Sequence, residues 1–571
     1  MHAPTHSLND SGTPRSTRAA SWSHLALRAA CWLVLLAGAL VQLRRTGDTV
    51  NADGIHYIEL AQHAAGGHAD FVSNGYWSPL YPALIAVGLV VAPQFHVDAL
   101  VVARWTNLAV IVLCALAFEW LLGELDCVAS EDDVERGGAL ALARRAGAYA
   151  LLLWGVLRLQ HAATVTPDLL VWTTLSLAGA LLLRARRGAS GERDDAAFGV
   201  VLGFGYLAKA VFFPVGIVAL AVHCFAVMRA RGMRRVGVAA AVFALVAAPL
   251  VAVQTWTQGH LSFGETGRLN YRWYVSHVGE PRAVREPVAV TAHRDATSPA
   301  AVQLESVAGA VLYAGEQRGS FPHGFDPSRS ERRGGAAFDL ASQVRVLRQN
   351  VYWYWVVAGS LTLLALLPAV LAALDRLSPR AGVWPAIVPA GVLLALYLLT
   401  HVEGRLCGPA IVTLLVSITF ASRGARRAWV RRAQIAALAW LALLAVVRTF
   451  GAQAFAYKGD SADAQHEIAS AAAKNGLRAG EKVAVVGSPY GHYWVHLAGL
   501  RIAAAVPIPD AAHPLDLRGL EQLAAESCAR GTSIAAVVWQ SSEPSMPVPV
   551  RGLAHGWWSW RPAIACDLAS K

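Results

Sequence analysis

NADGIHYIELAQHAAGGHADFVSNGYWSPLYP, residues 51–82, is the stretch on which the reading of the whole chain turns. It lies between a first apolar run and the bulk of the apolar sequence, where a plain connector between membrane helices would be shorter and blander. It holds three carboxylates (Asp53, Glu59, Asp70), three imidazoles (His56, His63, His68) and the run Tyr76-Trp77-Ser78-Pro79-Leu80-Tyr81-Pro82. Loops longer than about a dozen residues in compact proteins are usually functional or disordered. This one carries helical periodicity, with Ile55, Ile58 and Leu60 to one side and Asp53 at the expected N-cap. It reads as an ordered, interfacial, functional segment.

Outward from this stretch the chain is apolar. Of its 571 residues 55% are hydrophobic, and the mean hydropathy is +0.41. Several runs approach the roughly 20 residues needed to cross a bilayer. The class is a polytopic membrane protein, with candidate spans at 25–43, 98–122, 146–160, 168–185, 197–209, 211–229, 236–255, 351–374, 382–400, 408–421 and 433–450. The segment 79–93 is apolar too, but short and bounded by prolines. The net charge of +11 does not point to a nucleic-acid partner. The basic residues are nearly all Arg and cluster between apolar runs, as in cytoplasmic loops.

Sidedness fixes the count. With 79–93 in the interface, Arg15, Arg18, Arg136, Arg144, Arg145, Arg184, Arg186, Arg187 and Arg193 share one side with Arg229, Arg231, Arg234, Arg235, Arg376, Arg380 and the Arg-rich 423–432. That is the pattern of the positive-inside rule. A crossing at 79–93 would flip every later loop. The expectation is about eleven spans, the N-terminus cytoplasmic and the tail outside, with Arg44 and Arg45 as exceptions. Residues 1–24 read as a disordered polar terminus, 25–450 as the membrane module with outer loops 44–97 and 256–350, and 451–571 as an outer tail. In the tail, EKVAVVG, RIAAAVPI and SIAAVVWQ alternate with helical runs, which predicts a small α/β domain. Its turn GSPYG (487–491) lacks the GxGxxG spacing. The overall class is therefore mainly α, a helical membrane bundle with interfacial helices and a small C-terminal α/β domain. The seven Cys show no metal-ligand spacing. Cys528 and Cys566 share the tail, and whether they pair is left open.

The residues able to carry chemistry gather on the outer side. Asp53 is either a helix cap or a general base at the membrane surface. Asp168, in TVTPDLLVW, starts a span; it either caps that helix or joins Asp53 in binding an acceptor or a divalent cation. Lys209 is one of five lysines and stands between two spans, so it either serves function or snorkels to the interface. Arg405 sits with Glu403 in HVEGR, paired to that acid or facing a phosphate. Arg104, inside the second span, is a further cation in want of a partner. Tyr57, Glu59, Tyr76 and Trp77, with Asn270 and Tyr271 in GHLSFGETGRLNYRWY (259–274) and Glu403 of HVEGR, are aromatic and polar groups suited to a sugar; loop packing on the membrane surface is the plainer alternative. His323 and Asp326 lie in the same loop, with no Ser/His/Asp or His-rich metal pattern.

Read together, D-G-x-x-Y-x-x-x-A from Asp53, then YWSPLYP, TVTPD, LGFGYLAK and HVEGR, resemble the GT-C superfamily of integral membrane glycosyltransferases. The closer similarity is to bacterial members related to protein mannosyltransferases and aminoarabinose transferases, and it runs over most of the chain. The resemblance implies a polyprenyl-phosphate sugar as donor and inversion at the anomeric carbon. It implies Asp53 as catalytic base assisted by Asp168, and Lys209 and Arg405 on the donor phosphate, with Arg104 a further candidate. The implied setting is a bacterial inner membrane with a periplasmic site, and the acceptor a glycan, lipid or protein. Two departures stand out: Leu406 follows the late Arg where many relatives carry an aromatic, and Gly54 follows Asp53 in place of a second acid. A transporter or flippase of lipid-linked sugars, which needs no base, and a non-catalytic membrane scaffold are the rival classes.

Overall fold

The computed structural model describes residues 14–91, 97–130, 138–227, 232–276, 301–304, 310–313, 319–321, 326–330, 338–451, 464–487, 492–506, 517–530, 532–540, 551–553 and 557–561. His323, Cys566, Arg136, residues 1–13 of the expected disordered terminus and most of the GSPYG turn lie outside them. Helix α1 spans Pro14–Arg45, so the backbone is helical from residue 14. Then come α2 (Ala52–Ala65), α3 (Leu80–Val91), α4 (Ala99–Ser130), α5 (Ala139–Trp154, continued by a π-helical turn to Gln160), α6 (Asp168–Arg186), α7 (Glu192–Ala208), α8 (Phe212–Val227) and α9 (Gly232–Gln258). The short α10 (Thr266–Tyr271) is followed by α11 (Leu340–Leu374), α12 (Trp384–Leu399), α13 (Gly404–Ala421) and α14 (Ala428–Phe450). Each apolar window read from the sequence coincides with a helix among the described residues. Among the described residues nine helices are long and apolar enough to cross a membrane, and the protein is a multi-pass membrane protein. Two of the windows give shorter helices, α7 with 17 residues and α8 with 16. At 12 residues α3 is about 18 Å long, well short of a hydrocarbon core of about 30 Å.

Burial shows which helix is central. In α6, 89% of the apolar window is buried inside the protein, against 22% in α9, whose free face is left for lipid. Neighbours α4, α7, α8, α12 and α13 surround α6. Its first residue, Asp168, is therefore held inside the bundle at one end. Three side-chain amides, the buried Gln42 and Asn107 and the half-buried Asn51, shape that end. Gln42 of α1 donates to Leu157 O (2.6 Å) and accepts from Ala162 N (2.9 Å). Asn107 of α4 donates to Thr164 O (2.8 Å), and Asn51 accepts from Val165 N (3.0 Å). A buried backbone needs such partners, and here they bind the turn before α6 to the start of α2.

The three strand runs read from the tail form as β3 (Lys482–Val486), β4 (Arg501–Val506) and β5 (Ala536–Gln540), with β3 parallel to both neighbours. Parallel strands covered on both faces read as near-continuous apolar runs, as KVAVV and RIAAAV do. The sheet is wider than the tail alone supplies. Hairpin β1 (Ala301–Leu304) and β2 (Ala310–Tyr313), from the loop after α10, pairs antiparallel against β4, and β6 (Arg551–Gly552) and β7 (Trp557–Trp560) close the other edge, giving the order β1-β2-β4-β3-β5-β7-β6. The strand residues face two different layers, with an irregularity in the β3–β4 pairing after Val483 and Ile502. Val483, Val485 and Ile502 share one core with α15 (Gln465–Lys474), α16 (Tyr493–Leu497) and α2, while Ala484, Ala504 and Val506 pack with Leu520 and Leu523 of α17 (Leu517–Ala529). The tail core is thus continuous with the membrane module. Cys528 is disulfide-bonded; Cys31, Cys114, Cys127, Cys224 and Cys407 are free thiols.

Candidate active site

Four helix ends meet at the buried start of α6. Asp53 lies in the first turn of α2 and Asp168 opens α6; Lys209 follows the last residue of α7, and Arg405 is the second residue of α13. Neither acid is a cap. Asn51 stands at the N-cap of α2 and Pro167 at that of α6, so both carboxylates are free to point across the bundle. Arg405 joins them. Its Nη2 donates to Asp53 Oδ2 (2.6 Å), its Nη1 is 3.5 Å from Asp168 Oδ2, and its Nε donates to Glu403 Oε1 (2.8 Å). Lys209 Nζ donates to Asp168 Oδ1 (2.5 Å). The result is one chain of alternating charge, Asp53–Arg405–Asp168–Lys209, with Glu403 at the rim. Asp168 is buried and among the described residues its Oδ2 makes no hydrogen bond, whereas the Asp53 side chain is 32% exposed. Burial pushes the Asp53 carboxyl up, but the Arg405 guanidinium beside it holds it below the usual carboxylate range.

An aromatic wall leads away from the cluster on both sides. One turn beyond Asp53, buried Tyr57 packs edge-on against Trp77 (5.0 Å between centroids) and Tyr81 (5.2 Å). Burial, with Asp53 and Asp168 nearby, pushes its phenol up, so it stays a hydrogen-bond donor. Trp77 meets Tyr76, Tyr76 meets Trp273, and the Tyr76 hydroxyl donates to Asn270 Oδ1 (3.1 Å). On the other side Tyr274 stacks flat on His401, centroids 4.2 Å apart, and His401 Nε2 is 4.0 Å from Glu403 Oε2. The Tyr271 hydroxyl is buried and has no hydrogen bond among the described residues. The 74–77 turn is held by Asn74 Oδ1, which accepts from the backbone of Tyr76 and Trp77. A Cβ on Gly75 would lie 2.3 Å from Ser328 Oγ, so only glycine lets the loops close here.

Two candidates are placed elsewhere. Arg104 donates to Thr49 O (3.2 Å), and among the described residues no ion pair or hydrogen bond joins it to the cluster. Glu59 is buried on α2 and faces the tail: its Oε1 accepts from Ser320 N (2.8 Å) and Ser320 Oγ and lies 3.2 Å from His496 Nδ1. Burial pushes the Glu59 carboxyl up, but the contacts from His496 and His56 hold it well below the usual range. Sequence reasoning missed Gln42, Asn51, Asn107, His401 and Tyr274. A lone amide in an apolar run was the available signal for Gln42 and Asn107, nearness to Asp53 for Asn51, and membership of the HVEGR motif for His401. Gly54 has a packing reason: a Cβ there would meet Val165 Cβ and Val50 Cγ1 at 2.9 Å, leaving no room for a second acid.

No protein-family model and no curated protein matches the chain. Among solved structures it is similar to ArnT from Cupriavidus metallidurans bound to undecaprenyl phosphate, at 13% identity and TM-score 0.48 over 92% of this chain and 98% of that one. The apo state of the same protein gives 13% identity and TM-score 0.47, over 95% and 99% of the two chains. The Archaeoglobus fulgidus oligosaccharyltransferase in complex with Zn and sulfate gives 12% identity and TM-score 0.46, over 89% and 68%. Identities this low leave residue roles to the geometry of the cluster. Among the described residues no three His, Cys, Asp or Glu side chains are grouped to hold a metal ion. Asp53 and Asp168 instead face Arg405 and Lys209, and an acid pair already partnered by cations does not fit a divalent ion.

Proposed function

We propose that the chain is a membrane glycosyltransferase, moving a sugar from a polyprenyl-phosphate donor to an acceptor hydroxyl or amine at the outer, periplasmic face of a bacterial inner membrane. The observation that carries this is the convergence of Asp53, Arg405, Asp168 and Lys209 from four distant stretches at one end of the bundle. Three carboxylates, counting Glu403, surround two cations, so the cluster sums to minus one. A donor phosphate cannot simply join such a set; it has to take Arg405 and Lys209 from their acids. That exchange releases Asp53 from the guanidinium and lets its carboxyl rise toward the ordinary range, where it is a better base. The acceptor oxygen or nitrogen then attacks the anomeric carbon from the face opposite the phosphate. As the sugar–phosphate bond breaks, the proton passes to Asp53 and the charge on the departing phosphate falls on Lys209 and Arg405. Asp168, fixed between the two cations, aims them. The aromatic wall from Tyr57 to Trp273 and from Tyr274 to His401 offers ring faces to the sugar.

The test uses purified protein in bilayers with a labelled polyprenyl-phosphate sugar and a mixture of envelope acceptors. Release of polyprenyl phosphate with capture of the label on acceptor is expected. Passage of the intact donor across the bilayer without release would replace this reading with transport. A reporter fused after Lys571 is expected to be active only on the periplasmic side, and cytoplasmic activity would overturn the orientation.

A further inference from the structure

The tail grips the helix that carries Asp53 at one place and the loop leading into that helix at another. The first is buried Glu59, six residues beyond Asp53, which faces His496 Nδ1 at 3.2 Å; His56 Nδ1 is 3.7 Å from its other oxygen, and Tyr493 stacks on His496. The second is His466 on α15. Its Nδ1 is 2.6 Å from Asp48 Oδ2 and its Nε2 is 3.4 Å from Asp98 Oδ2. Asp48 lies just before α2 and Asp98 just before α4. Both ring nitrogens thus face carboxylate oxygens, and both are donors only in the imidazolium. Among the described residues the other ionisable groups around this contact are Tyr493, with its hydroxyl 3.4 Å from Asp98 Oδ1, Arg104, which acts through space on Asp48, Asp98 and Tyr493, and Glu467, next to His466 on α15.

We infer that His466 and His496 are positioning residues: through them the tail domain holds the Asp53 helix in register with Arg405, and the His466 contact makes that hold dependent on a proton. The inference rests on the reading of Asp53 as the base of the site. The alternative, a tail docked by apolar packing alone, does not account for a half-exposed imidazole set between two acids. Partial burial pulls His466 down, but Asp48 and Asp98 together raise it from its ordinary value. A raised histidine contributes fully below its unpartnered value, about 6.5, and its contribution is lost as pH rises through the docked value.

Hydrogen exchange on the full chain, corrected for intrinsic rates, reads the hold directly in segments 52–65 and 465–474. From about pH 5.5 to about pH 9, spanning the histidine range, protection of both is expected to fall by about two- to five-fold, the worth of a half-exposed ion pair. His466→Gln is expected to sit at the low level throughout. His466→Lys, which keeps the charge, is expected to stay near the high level. His496→Ala leaves Glu59 short of a donor and is expected to lower protection by roughly ten- to a hundred-fold. Turnover at saturating donor is expected to follow protection across these variants, with donor KM unchanged. A parent protein whose protection ignores pH, or a His466→Gln profile equal to the parent's, overturns the proton-dependent hold. Altered protection with unaltered kcat and an unaltered pH profile overturns the positioning role. If protection behaves as expected but no sugar is transferred, the hold stands and the functional reading is what fails.

Discussion

Two carboxylate–cation clusters stand at opposite ends of the bundle, and they are built differently. At the far end, Asp195 in the first turn of α7 is 1% exposed. The guanidinium of Arg235 grips both its oxygens, Nε to Oδ2 at 2.7 Å and Nη2 to Oδ1 at 2.9 Å, and also donates to Ser190 Oγ. His223 Nε2 lies 3.2 Å from the same carboxylate. Every partner falls within residues 190–235, a single α7–α8–α9 unit. The Asp53 cluster lies about 21 Å away along α7, at 1.5 Å per residue, and draws on residues 53 to 405. One guanidinium there serves three acids, and part of the set is open to solvent. A two-pronged Arg–carboxylate pair that is saturated and sealed has nothing left to offer a ligand. A cation shared among too many acids can change partners, and partner change is what a passing phosphate requires.

The comparison breaks if both clusters respond alike to mutation. Asp53→Asn keeps size and polarity but cannot take a proton at neutral pH. Transfer by folded protein is expected to fall roughly 100- to 10,000-fold, with polyprenyl-phosphate binding retained. Parent-level turnover in this variant would reduce Asp53 to an ion-pair partner and pass the role of base to Asp168. At the other end, Arg235→Ala strands a buried carboxylate. It is expected to destabilise the protein by about 3–5 kcal/mol, read as a lower melting temperature and yield, while turnover per mole of folded protein holds. A selective loss of turnover there would mean that both clusters serve catalysis.

Smaller effects sharpen the contrast. Lys209→Ala or Arg405→Ala is expected to weaken polyprenyl-phosphate binding by about 1.5–3 kcal/mol, the worth of a charge-assisted contact, measured by titration of the purified protein. The acid limb of transfer checks the Asp53–Arg405 pair. A carboxyl held low stabilises the folded state above its unfolded value, about 3.9, and that contribution is lost as pH falls through the folded value. Arg405→Gln removes the main influence holding Asp53 down, so the acid limb is expected to move to higher pH. An unmoved limb would detach Arg405 from Asp53. The smallest effect has the opposite sign. Glu403, 44% exposed, is paired with Arg405 and on the proposed reading competes there with the donor phosphate, so Glu403→Gln is expected to tighten donor binding by about two- to five-fold, as for an exposed ion pair. Weaker binding would make Glu403 a ligand of the substrate.

The sequence by itself determined the helical membrane class, the apolar helices and the three central strands, because hydropathy and periodicity are written locally along the chain. It also marked Asp53, Asp168, Lys209 and Arg405, since charge at the end of an apolar run is conspicuous wherever it falls. It could not say that Arg405 bridges two acids 352 and 237 positions away. Nor could it turn Glu59 from the substrate toward His496, take Arg104 to Thr49 O, or add strands from 301–313 to the tail's sheet. Those pairings depend on which helix ends share one face of α6. That was decided by packing around α6 and by the Gln42, Asn51 and Asn107 amides, whose partners become neighbours only once the bundle has closed.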